Sequence, residues 1–183
     1  MKPILQVDDD PNDIFLFQHA MKKMGVMNPI QVVTDGQQAI DYLGGAGKFA
    51  DREKFPLPCL VLLDLKLPYV MGLEVLRSIR KQPGRALTVV MLTASAENAD
   101  IEAAYELGAN AFLTKPTEAN KFREMVKAIK DFWLTHNTLP RESTSESPME
   151  GAVSLGYASA DDFSGNHRSP ASREERPQEV EAT

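Results

Sequence analysis

Short, nearly continuous apolar runs alternate along the chain with longer segments in which apolar residues recur every three or four positions, and the alternation persists to about Trp133. Ile4-Leu-Gln-Val7, Ile30-Gln-Val-Val33, Cys59-Leu-Val-Leu-Leu63 and Thr88-Val-Val-Met-Leu92 have the length and composition of strands, and Ala111-Phe-Leu113 is a shorter fifth. The third and fourth runs are apolar almost throughout, which predicts central parallel strands covered on both faces. Between the runs, Ile14, Phe17, Met21 and Met24 fall at helical spacing behind Asn12 and Asp13, and Leu73, Leu76 and Ile79 repeat that spacing. Phe122, Met125, Ile129 and Phe132 predict a last, longer helix. Five βα units in succession predict an α/β fold: a doubly wound, five-stranded parallel sheet with helices on both faces and right-handed crossovers. The functional crevice of such a sheet lies beyond the carboxyl ends of its strands.

Beyond Asn137 the 183-residue chain changes into Ser, Pro, Glu and Gly, with few groups to offset the entropy of ordering. This predicts one domain over 1–136 and a disordered, Ser/Pro/Glu-rich acidic tail over 137–183. Charge divides the same way: residues 140–183 carry 9 acidic and 4 basic side chains, whereas 1–139 carry 17 and 16, for a total of −6. A negative chain without clustered Lys and Arg argues against a nucleic-acid surface and against a polybasic membrane contact. Cys59 is the only cysteine, so neither an intrachain disulfide nor a four-cysteine zinc site can form. With no secretory leader pattern and no run of about 18 apolar residues, the expected location is the cytoplasm. Val153, Leu155, Tyr157 and Phe163 punctuate the tail, where a bland flexible segment and a short partner-binding segment both remain open.

The strand-end rule places Asp8, Asp9 and Asp10 just after the first strand, Asp64 at the end of the third, Thr93 at the end of the fourth and Lys115 after the fifth. Taken singly, most of these have an ordinary reading. Asp8 to Asp10 before Pro11 suit a turn and a helix cap, and Thr93 and Lys115 suit loops. Asp64 is harder to dismiss, because four apolar residues precede it and Leu65 follows, so a half-buried carboxylate needs a reason. Together they would bring several carboxylates, a hydroxyl and an ammonium into one crevice. Clustered carboxylates are expected to hold a hard divalent cation, with Mg²⁺ favoured where phosphate supplies further oxygens. Lys115 could neutralise a transferring phosphoryl group and Thr93 could donate a hydrogen bond to it.

Val7-Asp-Asp9, Leu62-Leu-Asp-Leu-Lys-Leu-Pro68, Met91-Leu-Thr-Ala94 and Gly108-Ala-Asn-Ala-Phe-Leu-Thr-Lys-Pro116 together resemble the signatures of two-component response regulator receiver domains, over residues 1 to about 134. The resemblance implies the flavodoxin-like strand order 2-1-3-4-5. It also implies that Asp64 is the phosphoacceptor, that Asp9 ligates Mg²⁺ directly and Asp8 through water, and that the Lys66 backbone carbonyl completes the site. Thr93 and Phe112 match the family's switch pair, and Lys115 matches the lysine that pairs with phosphoryl oxygens and whose bond to the next proline is cis. Two departures stand out. Val70-Met-Gly72 occupies the place where many receivers have Met-Asp-Gly, so an acid is missing at Met71, and Phe112 stands where tyrosine or histidine is also common. The long connection Gly44 to Pro58 resembles the extended segment of stand-alone regulators that partner bacteriophytochromes and related histidine kinases.

The implied function is that of a single-domain response regulator, not an enzyme: a phosphoacceptor that takes its phosphoryl group from a sensor histidine kinase, loses it by slow autodephosphorylation, and signals through a downstream protein, a phosphotransfer protein or a homodimer. A phosphorylation-independent, receiver-like scaffold is the rival, and Met71 is its only support. A flavodoxin-like redox protein shares the fold, but Asp8-Asp-Asp10-Pro11 would repel the phosphate of FMN.

Overall fold

The computed structural model describes residues 1–82, 87–95 and 97–138. Its strands are β1 (Ile4–Val7), β2 (Ile30–Val33), β3 (Leu60–Leu63), β4 (Val89–Thr93) and β5 (Ala111–Thr114). Its helices are α1 (Pro11–Lys23), α2 (Gly36–Gly44), α3 (Gly72–Arg80), α4 (Asn98–Glu106) and α5 (Ala119–Ile129). The strands form one parallel sheet in the order β2-β1-β3-β4-β5. β1 and β3 are buried at every position, as their apolar runs require.

Side-chain alternation along the strands divides the core in two. Leu5, Val7, Val61, Leu63, Val89 and Met91 face α2, α3 and α4, packing on Tyr42, Leu76, Ile79 and Ala104. Ile4, Leu60, Leu62, Val90 and Leu92 face the other way, onto Phe17 and Met21 of α1 and Phe122, Val126 and Ile129 of α5. The helices begin where the sequence lets them. Asp10 caps α1 by accepting the Asn12 amide at 2.7 Å ahead of Pro11, and Asp35 caps α2 by accepting the Gln38 amide at 2.7 Å.

The long connection after α2 is a packed element. Gly45 ends the helix in the left-handed conformation. A short 3₁₀ turn over Gly47–Phe49 then seats Phe49 against Tyr42 and Phe55 with ring centroids 5.2 and 5.1 Å apart. The Arg52 guanidinium donates to the carbonyls of Tyr42 and Leu43 at 2.7 and 2.8 Å, satisfying acceptors that the end of α2 leaves open.

The end of the last helix differs from expectation. Its α-helical run stops at Ile129, and Lys130–His136 widen into π geometry, with the Asn137 amide donating to the Phe132 carbonyl five residues back at 2.7 Å. Phe132, expected on the buried stripe, is exposed, while Trp133 and Leu134 pack on the core. The wider turn rotates the inward register by one residue. The expected boundary near 136 sits at the end of this segment, and the expected tail lies, from residue 139 onward, outside the described residues. Among those described, no helix is long and apolar enough to cross a membrane.

Candidate functional site

Two of the central strands, β1 and β3, deliver the acidic groups. Beyond β1, the Asp8 amide still donates to Val33 of β2 at 3.1 Å, so the residue is held in line with the sheet and its side chain is buried. Asp9 projects to the surface, and Asp10 turns away to cap α1. The turn-and-cap reading of the acidic triplet therefore holds for Asp10, while Asp8 and Asp9 enter the crevice. Asp64 follows β3, with its amide bonded to the Val7 carbonyl at 2.9 Å. It is 8% exposed, and its Oδ1 accepts the Lys66 amide at 3.2 Å. One carboxylate oxygen from each of Asp8, Asp9 and Asp64 lies within 4.8 Å of the others. Three hard oxygen donors so grouped suit a divalent cation of the Mg²⁺, Ca²⁺ or Mn²⁺ kind.

The loop after Asp64 folds back tightly enough to dictate composition. Gly72 donates to the Leu65 carbonyl at 2.9 Å, and a Cβ on Gly72 would lie 2.1 Å from the Asp64 carbonyl oxygen. The glycine of the loop is therefore obligatory, even though Met71 stands before it where the resemblance implied an acid. Tyr69 in the same loop holds φ +64°, a left-handed conformation uncommon for a bulky residue, and is 90% exposed.

Lys115 enters from the far side of the sheet, its amide bonded to the Thr93 carbonyl at 2.7 Å. Its Nζ donates to Asp8 Oδ2 and Asp64 Oδ2, each at 2.7 Å, and to Asp13 Oδ2 at 2.9 Å. Burial alone would push the ammonium's pKa down; hydrogen bonds to Asp64 and Asp8 outweigh it and hold the pKa above the ordinary lysine value. Burial pushes the Asp8 carboxyl up, and the bond from Lys115 only partly offsets this. The Lys115–Pro116 peptide is trans, against the cis bond that the resemblance implied; for a bond before proline the trans form is favoured by about 0.5–1 kcal/mol.

Thr93, fully buried at the end of β4, accepts the Ser95 amide on its Oγ1 at 3.3 Å. Phe112 is half-buried on β5 opposite Met91, against the α2–α4 side of the core, and alternation places Thr93 on that same face. Lys66 is exposed, two residues past Asp64. The structure thus brings together Asp8, Asp9, Asp64 and Lys115, with Thr93 at the adjoining strand end. Asp13 is the member that sequence reasoning missed: an acid in the first turn of a helix is explained well enough by the helix dipole. The signal that could have found it is its place one turn beyond Asp9, on the helix that leaves the acidic strand end.

A 2-1-3-4-5 sheet carrying a carboxylate cluster and a buried lysine at its carboxyl edge defines a receiver domain. Residues 4–127 match the model of the response regulator receiver domain, and the chain belongs to that family. Among individual proteins it is similar to response regulator Rcp1 of Synechocystis sp. (strain ATCC 27184 / PCC 6803 / Kazusa), 38% identical over 140 residues, which are 76% of this chain and 93% of Rcp1. The Mn²⁺-bound form of Rcp1 superposes with a TM-score of 0.71 at 37% identity, over 77% of this chain and 100% of that one. The phosphorylated cyanobacterial phytochrome response regulator RcpA gives 0.72 at 37% identity, over 76% and 99%. The bacteriophytochrome response regulator RtBRR gives 0.63 at 43% identity, over 79% and 85%.

Proposed function

We propose that the chain accepts a phosphoryl group on Asp64 from the phosphohistidine of a sensor histidine kinase, and that it signals through phosphorylation-dependent protein–protein contact. The observation that carries this reading is the meeting of Asp64 Oδ2 with the Lys115 ammonium at 2.7 Å, inside a carboxylate cluster at the carboxyl edge of the sheet. An Asp64 oxygen forms the new P–O bond while the P–N bond to histidine breaks, and the imidazole nitrogen keeps the electron pair. Lys115, charged at every physiological pH, counters the charge on the phosphoryl oxygens. Mg²⁺, held by Asp8, Asp9, Asp64 and the Lys66 backbone carbonyl, supplies further charge neutralisation when bound. A divalent ion is supported by the donor set here and by the Mn²⁺-bound form of Rcp1.

The chain acts on no separate substrate. Water later cleaves the acyl phosphate, releasing inorganic phosphate and restoring the carboxylate. Thr93 and Phe112 share a sheet face, which supports a switch in which the hydroxyl moves toward the phosphoryl group and the ring follows inward, shifting the population of the α4–β5–α5 surface. The likeness to RcpA and RtBRR supports a phytochrome-type kinase as donor. The recipient of the signal is a downstream protein, a phosphotransfer protein or a second copy of the chain.

Intact mass after incubation with acetyl phosphate tests the reading. The expected result is a gain of one phosphoryl group that requires Mg²⁺ and is lost in Asp64→Asn. A folded wild-type chain that gains nothing would favour the phosphorylation-independent scaffold, for which the exposed Met71 in place of an acid speaks.

A further inference from the structure

An ammonium has three N–H donors, and here each goes to a different carboxylate: Asp8, Asp64 and Asp13. The three are not equivalent. Asp8 and Asp64 belong to the cluster suited to a cation, and Asp13 does not. On the receiver reading, Asp64 also exchanges a free carboxylate oxygen for an acyl phosphate. Both of those bonds therefore change during the cycle, and only the bond to Asp13 need not.

The surroundings make an anchor necessary. Between α1 and α5 lies a cleft of about 600 Å³ whose lining includes Lys115 and Asp13 together with Leu16, Met24 and Phe122. A lysine is a point charge on a flexible four-carbon stem, and this one has room to leave the crevice. Asp13 stands on the open side, its side chain 30% exposed against 5% for the lysine. It is also well fixed, because the Asp10 cap and Pro11 set the first turn of α1. Lys115 lies in the connection between β5 and α5.

We propose that Asp13 is a positioning residue for the phosphoryl-transfer site: it holds the Lys115 ammonium at Asp64 and closes that side chain's escape into the α1–α5 cleft. This rests on the receiver reading. Asp13 touches neither the transferring group nor the cation; it acts through Lys115 alone.

The test is single-turnover labelling by acetyl phosphate, followed by intact mass, in wild type and Asp13→Asn, with Mg²⁺ titrated and folding checked by urea denaturation. Asp13→Asn keeps the shape and removes the charge. Its labelling at saturating Mg²⁺ should slow about tenfold, as expected when a reacting group loses its orientation, while the half-saturating Mg²⁺ concentration stays within about twofold of wild type. A second arm introduces the substitution into Lys115→Met and reads the fluorine resonance of bound fluoroberyllate, which reports site occupancy without labelling. Asp13→Asn should weaken fluoroberyllate binding in wild type and have no further effect once Lys115 is gone. An unchanged labelling rate in Asp13→Asn overturns the proposal, as does an equal loss of fluoroberyllate affinity on both backgrounds. If Lys115→Met does not fold, the rate and Mg²⁺ dependence of Asp13→Asn decide alone. A wild-type chain that takes no phosphoryl group would refute the phosphoacceptor reading itself, an outcome distinct from wild-type labelling that Asp13→Asn leaves unaltered.

Discussion

Lys115 Nζ lies 2.7 Å from Asp64 Oδ2, and the two residues are 51 positions apart, on opposite sides of β4. Among the described residues the lysine is the single cation paired with these three carboxylates, Asp8, Asp13 and Asp64, two of them buried. Taking it away leaves uncompensated charge in a poorly solvated crevice, whereas a divalent ion held by Asp8, Asp9 and Asp64 would offset the charge of Asp8 and Asp64, the two carboxylates it shares with the lysine.

Lys115→Met should accordingly destabilise the metal-free protein by about 3 kcal/mol, the cost typical of breaking a buried ion pair from one side. Mg²⁺ should recover more stability in the variant than it adds to wild type. Urea denaturation with and without Mg²⁺ measures both, and an unchanged midpoint for the metal-free variant would refute the assignment of Lys115 as counter-ion.

Gly72 and Gly44 make a paired prediction about the backbone. A methyl group on Gly72 would meet the Asp64 carbonyl oxygen at 2.1 Å, so Gly72→Ala should cost about 2 kcal/mol or more and weaken divalent-cation binding by displacing Asp64. Gly44 is the last residue of α2, and a methyl group there would have nothing within 4 Å, so Gly44→Ala should stabilise by up to about 1 kcal/mol. Thermal denaturation ranks the two, and equal Tm values would contradict the close approach of the loop.

Cys59 predicts a pH effect outside the site. Burial raises its thiol above the ordinary value, and Sγ lies 3.4 Å from the Pro3 carbonyl. The thiolate is the reactive form. Alkylation by iodoacetamide at pH 8 should therefore be slower than for a small free thiol and should accelerate as pH rises, the gap closing when urea unfolds the chain. A raised pKa in the folded state means a stability contribution that is present at neutral pH and lost as pH climbs through that value. Alkylation of the folded protein at the free-thiol rate would show the thiol to be solvated.

Much of this architecture was legible because it rests on periodicity. Ile4–Val7 and Ile30–Val33 are strands over the spans that their apolar runs mark, and the alternation of element types predicts the doubly wound sheet that is found. The features that escaped depend on geometry with no period. An α-helical repeat carried through Phe132 places that ring inside, but the π turns after Ile129 change the count per turn and put Trp133 and Leu134 there instead. Asp13 looks like a helix-start residue until a lysine from 102 positions away arrives beside it. The connection from Gly44 to Pro58 is recognisably long in sequence, yet neither its ring cluster nor the arginine that ties it to α2 can be read from its length.

The separation of Asp8 and Lys115 by 107 positions has a consequence for the chain as it is made. β1 and β3 leave the ribosome first, and their carboxylates have no lysine to meet until β5 has followed and paired with β4. Contacts this remote in sequence are slow to form, because the loop between them must close first. A chain interrupted before Lys115 carries the acids without the base that balances them, so the charge-balanced site arrives only with completion of the sheet. Completion of β5 is what closes the charge balance of the site.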